Sequence, residues 1–303
     1  MGALCYVEEF AQQEQAAGRA APTRRNHRRA LERLDAWLEG EGLSEKALQP
    51  ADLVRFVNAE GERVSRGQVN NVVSAVRVYF HWLAEEGLRR DGQNPAARLK
   101  YQSIPLKPVE SLTDAECKKL VRWATTKAPR ERFGVHRTGF LALLLLDTGL
   151  RLGEALRLRL CDLDFSEGKL LVRQTKTGDF RVVPISPVLR KQLRRYLQRR
   201  EERLAKLGMQ SEFVILSESG QGCSVTVAEH SFQRIGEAAG IRSVYPHLLR
   251  HTFATQSLLN GAPLPAVMRL GGWRKLTTVQ RYTYMNDAVA AEVHSRTSPL
   301  AAM

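Results

Sequence analysis

Apolar residues in the first hundred positions recur at helical spacing. Leu31, Leu34, Trp37 and Leu38 form one stripe, and Val69, Val72, Val73, Val76, Phe80 and Leu83 form another. A 3.6-residue period of this kind predicts amphipathic helices packed on a shared core. Breaks at residues 40–43, at Pro50 and at Gly61 separate them. Residues 99–110 carry Pro105 and Pro108 and no periodicity, which predicts a linker. The expected division is therefore a helical domain over residues 1–104, a linker over 105–110 and a second domain over 111–303. Thr113 and Glu116 have the spacing of a capping box, ahead of a helix that carries Leu120 and Trp123. The strongly apolar run at residues 140–146 predicts a buried helix and is too short to cross a bilayer.

The period then changes. Residues 169–174 and 181–185 are β-favouring runs around a turn containing Thr177, Gly178 and Asp179, a hairpin with Lys176 at its tip. A long charged helix follows, with Leu189, Leu193, Tyr196 and Leu197 on one side. A short strand is expected at 213–216, a helix at roughly 225–239, and another at 246–260, which starts with proline and stops before Gly261. The fold class expected is mainly α with a small antiparallel β-sheet, an all-helical N-terminal domain preceding an α+β domain.

Charge adds a partner to this picture. The 303 residues hold 46 Lys and Arg against 32 Asp and Glu, a net charge of +14. Such an excess points to a polyanion, most simply nucleic acid, although an indifferent basic surface has the same sum. Arg24, Arg25, His27, Arg28 and Arg29 concentrate it, as phosphate contacts or as a solvated helix face. Cys5, Cys117, Cys161 and Cys223 form no C-x-x-C pair, so neither a zinc site nor a disulfide framework is expected. Residues 1–15 lack the basic start and apolar stretch of a signal peptide. A reducing cytoplasm and no membrane association are expected.

The candidate chemistry lies in six residues, Arg151, Lys176, His247, Arg250, Trp273 and Tyr282. Arg151 follows Gly149 at an expected helix start, where anions are favoured, and Glu154 three residues on shares its face. His247 and Arg250 are also three apart, with His251 expected as a supporting partner behind them. Trp273 follows Gly271 and Gly272, and Tyr282 lies nine residues beyond it. Taken singly, each also fits an ordinary role as an ion pair, a helix terminus or a core aromatic. Together they suit metal-free attack on a phosphodiester. A phenol with a pKa of about 10 needs cations nearby to act as a nucleophile, and the same cations stabilise charge on the phosphate.

In order and spacing these stretches resemble the tyrosine recombinase, or phage-type integrase, family. The matching segments are residues 148–154 (Thr-Gly-Leu-Arg-Leu-Gly-Glu), Lys176, residues 247–251 (His-Leu-Leu-Arg-His), residues 270–273 (Leu-Gly-Gly-Trp) and Arg281 with Tyr282. Residues 78–87 and Asn94-Pro95 resemble the family's helical core-binding domain. The resemblance implies a simple two-domain, Xer- or Cre-like member without the arm-binding domain of lambda-type integrases. It implies that Arg151 and Arg250 bind the non-bridging oxygens, that His247 assists proton transfer and that Lys176 protonates the 5′ oxygen. Trp273 stands where histidine is usual, and Tyr282 forms a 3′-phosphotyrosyl bond. No ATP, cofactor or catalytic metal is implied, and four protomers would act on two DNA sites through a Holliday junction. Trp273 favours an enzyme of a mobile element or plasmid over chromosome-dimer resolution. Tyr284 leaves a second tyrosine near the nucleophile position. A type IB topoisomerase-like swivelase and a catalytically impaired DNA-binding accessory protein remain as alternatives.

Overall fold

The computed structural model describes residues 2–89, 93–105, 109–173, 180–280, 282, 294–295 and 298. The chain divides into two compact units, Met1–Leu106 and Lys107–Met303.

Among its described residues the first unit has four helices: α1 (Val7–Ala16), α2 (Ala21–Glu41), α3 (Pro50–Arg63) and α4 (Arg66–Glu85). Both expected stripes are its core. Leu31, Leu34 and Leu38 of α2 meet Val69, Val72, Val73, Val76, Phe80 and Leu83 of α4, all buried. Ser65 caps α4 by accepting from the Gln68 amide while the Gln68 side chain returns to the Ser65 amide.

The second unit begins with α5 (Asp114–Arg122), capped by the expected Thr113–Glu116 box. A π-helical turn (Trp123–Lys127) and a 3₁₀ turn (Ala128–Arg130) lead into α6 (Phe133–Thr148). α6 is buried nearly all round and is the axle of this unit, with α11 and α8 packed against it. Then come α7 (Leu152–Leu156), a 3₁₀ turn (Leu160–Asp162) and the strands β1 (Leu163–Asp164), β2 (Lys169–Arg173) and β3 (Phe180–Pro184). They form one antiparallel sheet in the order β1-β2-β3, with Leu170 opposite Val183 and Val172 opposite Arg181. Helices α8 (Pro187–Leu207), α9 (Val225–Phe232), α10 (Ile235–Ala239), α11 (Pro246–Leu259), α12 (Leu264–Gly271) and α13 (Leu276–Gln280) follow.

Two expected elements differ. The strand at 213–216 reduces to single bridges, Arg159 with Phe213 and Leu216 with Gly222. The helix at 225–239 is broken into α9 and α10 at Gln233 and Arg234. Ser231 Oγ donates to the Val227 carbonyl just before the break, a back-bond that competes with the helical ladder. No described helix is long and apolar enough to cross a membrane.

Candidate active site

Gly149 ends α6 with φ at +64°, and a Cβ there would run into the Phe253 ring of α11. The chain turns sharply, buries Leu150 and presents Arg151 as the residue that caps α7. The Arg151 amide donates to Glu154 Oε2 at 2.9 Å, its Nη1 to Oε1 at 2.9 Å and its Nη2 to the Gly272 carbonyl at 3.3 Å. Its side chain stays 48% exposed while that of Glu154 is 6% exposed. The guanidinium is thus held from behind and open in front.

Glu154 also receives Arg181, a residue for which the sequence pattern predicts no role. From β3, Arg181 Nη2 donates to Glu154 Oε2 at 2.8 Å and its Nε to the Leu270 carbonyl at 2.8 Å. It ties the sheet to the end of α12. Burial works against the Glu154 charge, yet the Arg181 bond and the Arg151 amide prevail and hold its pKa below the ordinary carboxylate value. Glu154→Ala would strand Arg181, whose side chain is also almost wholly buried. The expected cost is about 3–5 kcal/mol, read as a lower urea midpoint. Because the folded pKa is lowered, this stabilisation is complete above the unfolded value and fades as pH falls through the folded one. The difference between wild type and Glu154→Gln should therefore narrow on acidification.

Arg250, on α11, is 2% exposed. Its Nη1 donates to the Gly149 carbonyl, and its Cζ stands 4.0 Å over the Trp273 ring. Nη2 is buried and has no hydrogen-bond partner among the described residues. Burial, followed by the neighbouring Arg151 charge, pushes the guanidinium down to about 9. An anion placed here would counter both causes. Trp273 follows the left-handed Gly272, at φ +69°, and is itself 8% exposed.

His247 lies exposed one turn before His251, and their rings meet edge to face at 4.3 Å. His251 Nδ1 lies 2.6 Å from Tyr282 Oη. The Tyr282 ring, 7% exposed, is 5.4 Å from the His251 ring and 5.6 Å from that of Trp273. His251 is therefore no partner behind the site but touches the tyrosine itself. At four residues from His247 it occupies the same helix face, which brings it to the front. Lys176, Arg281 and Tyr284 lie outside the described residues. Among the described residues no group of three or more His, Cys, Asp and Glu is arranged to hold a metal ion.

The cationic patch of the first unit is only partly what was expected. His27 is buried, with Nδ1 2.7 Å from the buried Glu14 Oε1. Its place on the Leu31–Leu34–Leu38 stripe forces it inward, so it is withdrawn as a phosphate contact. Arg24 Nη1 donates to Gln15 at 2.7 Å, and Arg28 pairs with Glu8 and Glu32. Arg25 and Arg29 remain exposed. Arg29 borders a cleft of about 850 Å³ that Arg33, Arg63, Gln68 and Asn71 also line.

Comparison with known proteins follows the same division. A sequence model of the phage integrase family matches residues 110–288, and one of the phage integrase N-terminal SAM-like domain matches residues 7–87. Tyrosine recombinase XerA of Pyrococcus furiosus is 32% identical over 277 residues, 91% of this chain and 88% of the relative. Tyrosine recombinase XerC of Oceanobacillus iheyensis is 32% identical over 302 residues, 98% of this chain and 96% of the relative. Among solved structures, XerH site-specific recombinase in a post-cleavage complex with palindromic difH substrate superposes with a TM-score of 0.77. It is 19% identical, over 95% of this chain and 83% of that one. The Tn1549 transposon integrase in complex with transposon right-end DNA gives a TM-score of 0.71 at 20% identity, over 98% and 100% of the two chains.

Proposed function

Since this chain belongs to the phage integrase family and is a tyrosine recombinase, an enzyme that cuts and rejoins DNA, we propose that it recombines specific double-stranded DNA sites through Tyr282. The phenol oxygen attacks the scissile phosphorus and forms a 3′-phosphotyrosyl ester. The P–O5′ bond breaks, and the departing 5′ oxygen takes a proton from Lys176. Arg151 and Arg250 hold the non-bridging oxygens, with His247 beside them. Because the ester retains the bond energy, attack by a 5′-hydroxyl reseals a strand without ATP. Glu154 and Arg181 act by holding Arg151 in place.

The observation that carries this reading is the buried Arg250 Nη2, a charged donor with no partner among the described residues, on a guanidinium stacked over the Trp273 ring that packs on Tyr282. A guanidinium so placed suits a phosphate oxygen. Four protomers on two sites, exchanging strands in two rounds through a Holliday junction, complete the proposal. Service to a mobile element or plasmid is proposed from Trp273 alone.

The test is covalent capture. Incubation with nicked genomic fragments should give DNA that migrates with the protein under denaturing conditions, and the attached ends should share one sequence. Ends scattered without a common sequence would favour a swivelase, and no adduct would favour an accessory DNA-binding protein. The proposed machinery is a nucleophile and cations, so the adduct should form in excess EDTA. Loss in EDTA, restored by magnesium, would contradict it.

DNA binding offers a separate check. Arg25 and Arg29 are proposed to touch phosphates, and their joint replacement by Ala should weaken binding to every sequence. The plot of log affinity against log salt should flatten by ~0.9 for each phosphate no longer neutralised. An unchanged slope would make them solvated surface.

A further inference from the structure

We propose that His251, and not His247, accepts the phenol proton of Tyr282 during strand cleavage. This rests on Tyr282 being the nucleophile. A proton acceptor must first reach the proton, and His251 Nδ1 lies 2.6 Å from Tyr282 Oη. With its own proton on Nε2, the neutral imidazole offers Nδ1 as the acceptor. Placement is secure because α11 fixes the ring while Thr252, the next residue, is buried and anchors the helix. Its Oγ1 accepts from the Leu112 amide at 2.9 Å. The Tyr282 ring also packs on that of Trp273, 5.6 Å between centroids.

His247 is differently disposed. It is exposed in the first turn of α11, and its ring meets His251 edge to face. That position suits the surface of a bound phosphate. Among the described residues, the titratable or charged neighbours of the His251–Tyr282 pair include His247, in ring contact with His251, and Arg250, stacked over the Trp273 ring that packs on Tyr282. Arg250 favours the phenolate once the proton has left.

In the cleavage step the phenol O–H proton moves to Nδ1, and the oxygen's electron pair forms the new O–P bond. The P–O5′ bond breaks, its pair stays on the 5′ oxygen, and that oxygen takes a proton from the acid. The imidazolium left at His251 returns its proton to the tyrosine when the strand is resealed. His251 thus serves cleavage and rejoining in opposite senses.

Single-turnover cleavage of a nicked substrate, carrying a recombination site recovered by covalent capture, would be followed across pH for wild type, His251→Ala, His251→Asn and Tyr282→Phe. At about pH 7 the loss in His251→Ala should be of the order that a positioned base contributes, about 10²-fold or more. It should shrink steadily as pH approaches about 10, where the phenol ionises unaided. His251→Asn keeps an acceptor oxygen near the Nδ1 position but cannot take the proton, so it should behave like His251→Ala. Wild-type rates in His251→Asn, or a loss in His251→Ala that is constant across pH, would leave His251 only a positioning role and overturn the proposal. Cleavage by Tyr282→Phe would overturn the nucleophile assignment instead, and the two failures are distinct.

Discussion

Tyr282→Phe is expected to form no covalent DNA adduct while binding DNA as well as wild type. The change deletes one oxygen and keeps the ring that packs on His251 and Trp273. Packing is therefore conserved while the Oη–His251 hydrogen bond is lost, a cost of roughly 0.5–1.5 kcal/mol that leaves the fold intact. Chemistry is abolished outright because no other atom of that ring can bond to phosphorus. Tyr284→Phe should retain the adduct. The pair is read on one denaturing gel, and an adduct in Tyr282→Phe that disappears in Tyr284→Phe would move the role two residues downstream.

The second large effect belongs to Lys176. An alkoxide leaves poorly, so removing a positioned acid in Lys176→Ala should slow cleavage by about 10²- to 10⁴-fold. Sulfur in place of the bridging 5′ oxygen changes the requirement, since a thiol with a pKa of about 8.5 leaves readily as the thiolate. Lys176→Ala should recover on that substrate. Arg151→Ala should recover far less, because its defect concerns charge on the non-bridging oxygens. Equal recovery of both, or none in Lys176→Ala, would take the acid role from Lys176 and make His247 the next residue to test.

Much of the scaffold was legible because its signals are local. The α2 and α4 stripes, the Thr113–Glu116 cap and the apolar core of α6 each follow from residues within a few turns of one another. The candidate site residues stand out in the sequence as a set in a fixed order, although their contacts do not. Arg250 reaches the Gly149 carbonyl across 101 residues, and Arg151 reaches that of Gly272 across 121. No spacing rule encodes such bonds. His27 and Arg181 were misjudged or missed for one shared reason. Both are basic residues in the inward phase of their element, His27 on the α2 stripe and Arg181 beside Val183 in a strand that alternates exposed and buried positions. Phase places them inside, each against a carboxylate, and residue type alone suggested surface. His251 had the same kind of signal, being one helical turn from His247.

One bond is central to the proposed chemistry, that between Tyr282 and a 3′ phosphate. The direct measurement traps the adduct on a nicked substrate, digests protein and DNA, and locates the modified residue by mass spectrometry. A nucleotide linked through its 3′ phosphate to Tyr282, with a free 5′-hydroxyl on the released strand, is the predicted result. Linkage to another residue, or attachment through a 5′ phosphate, would contradict it.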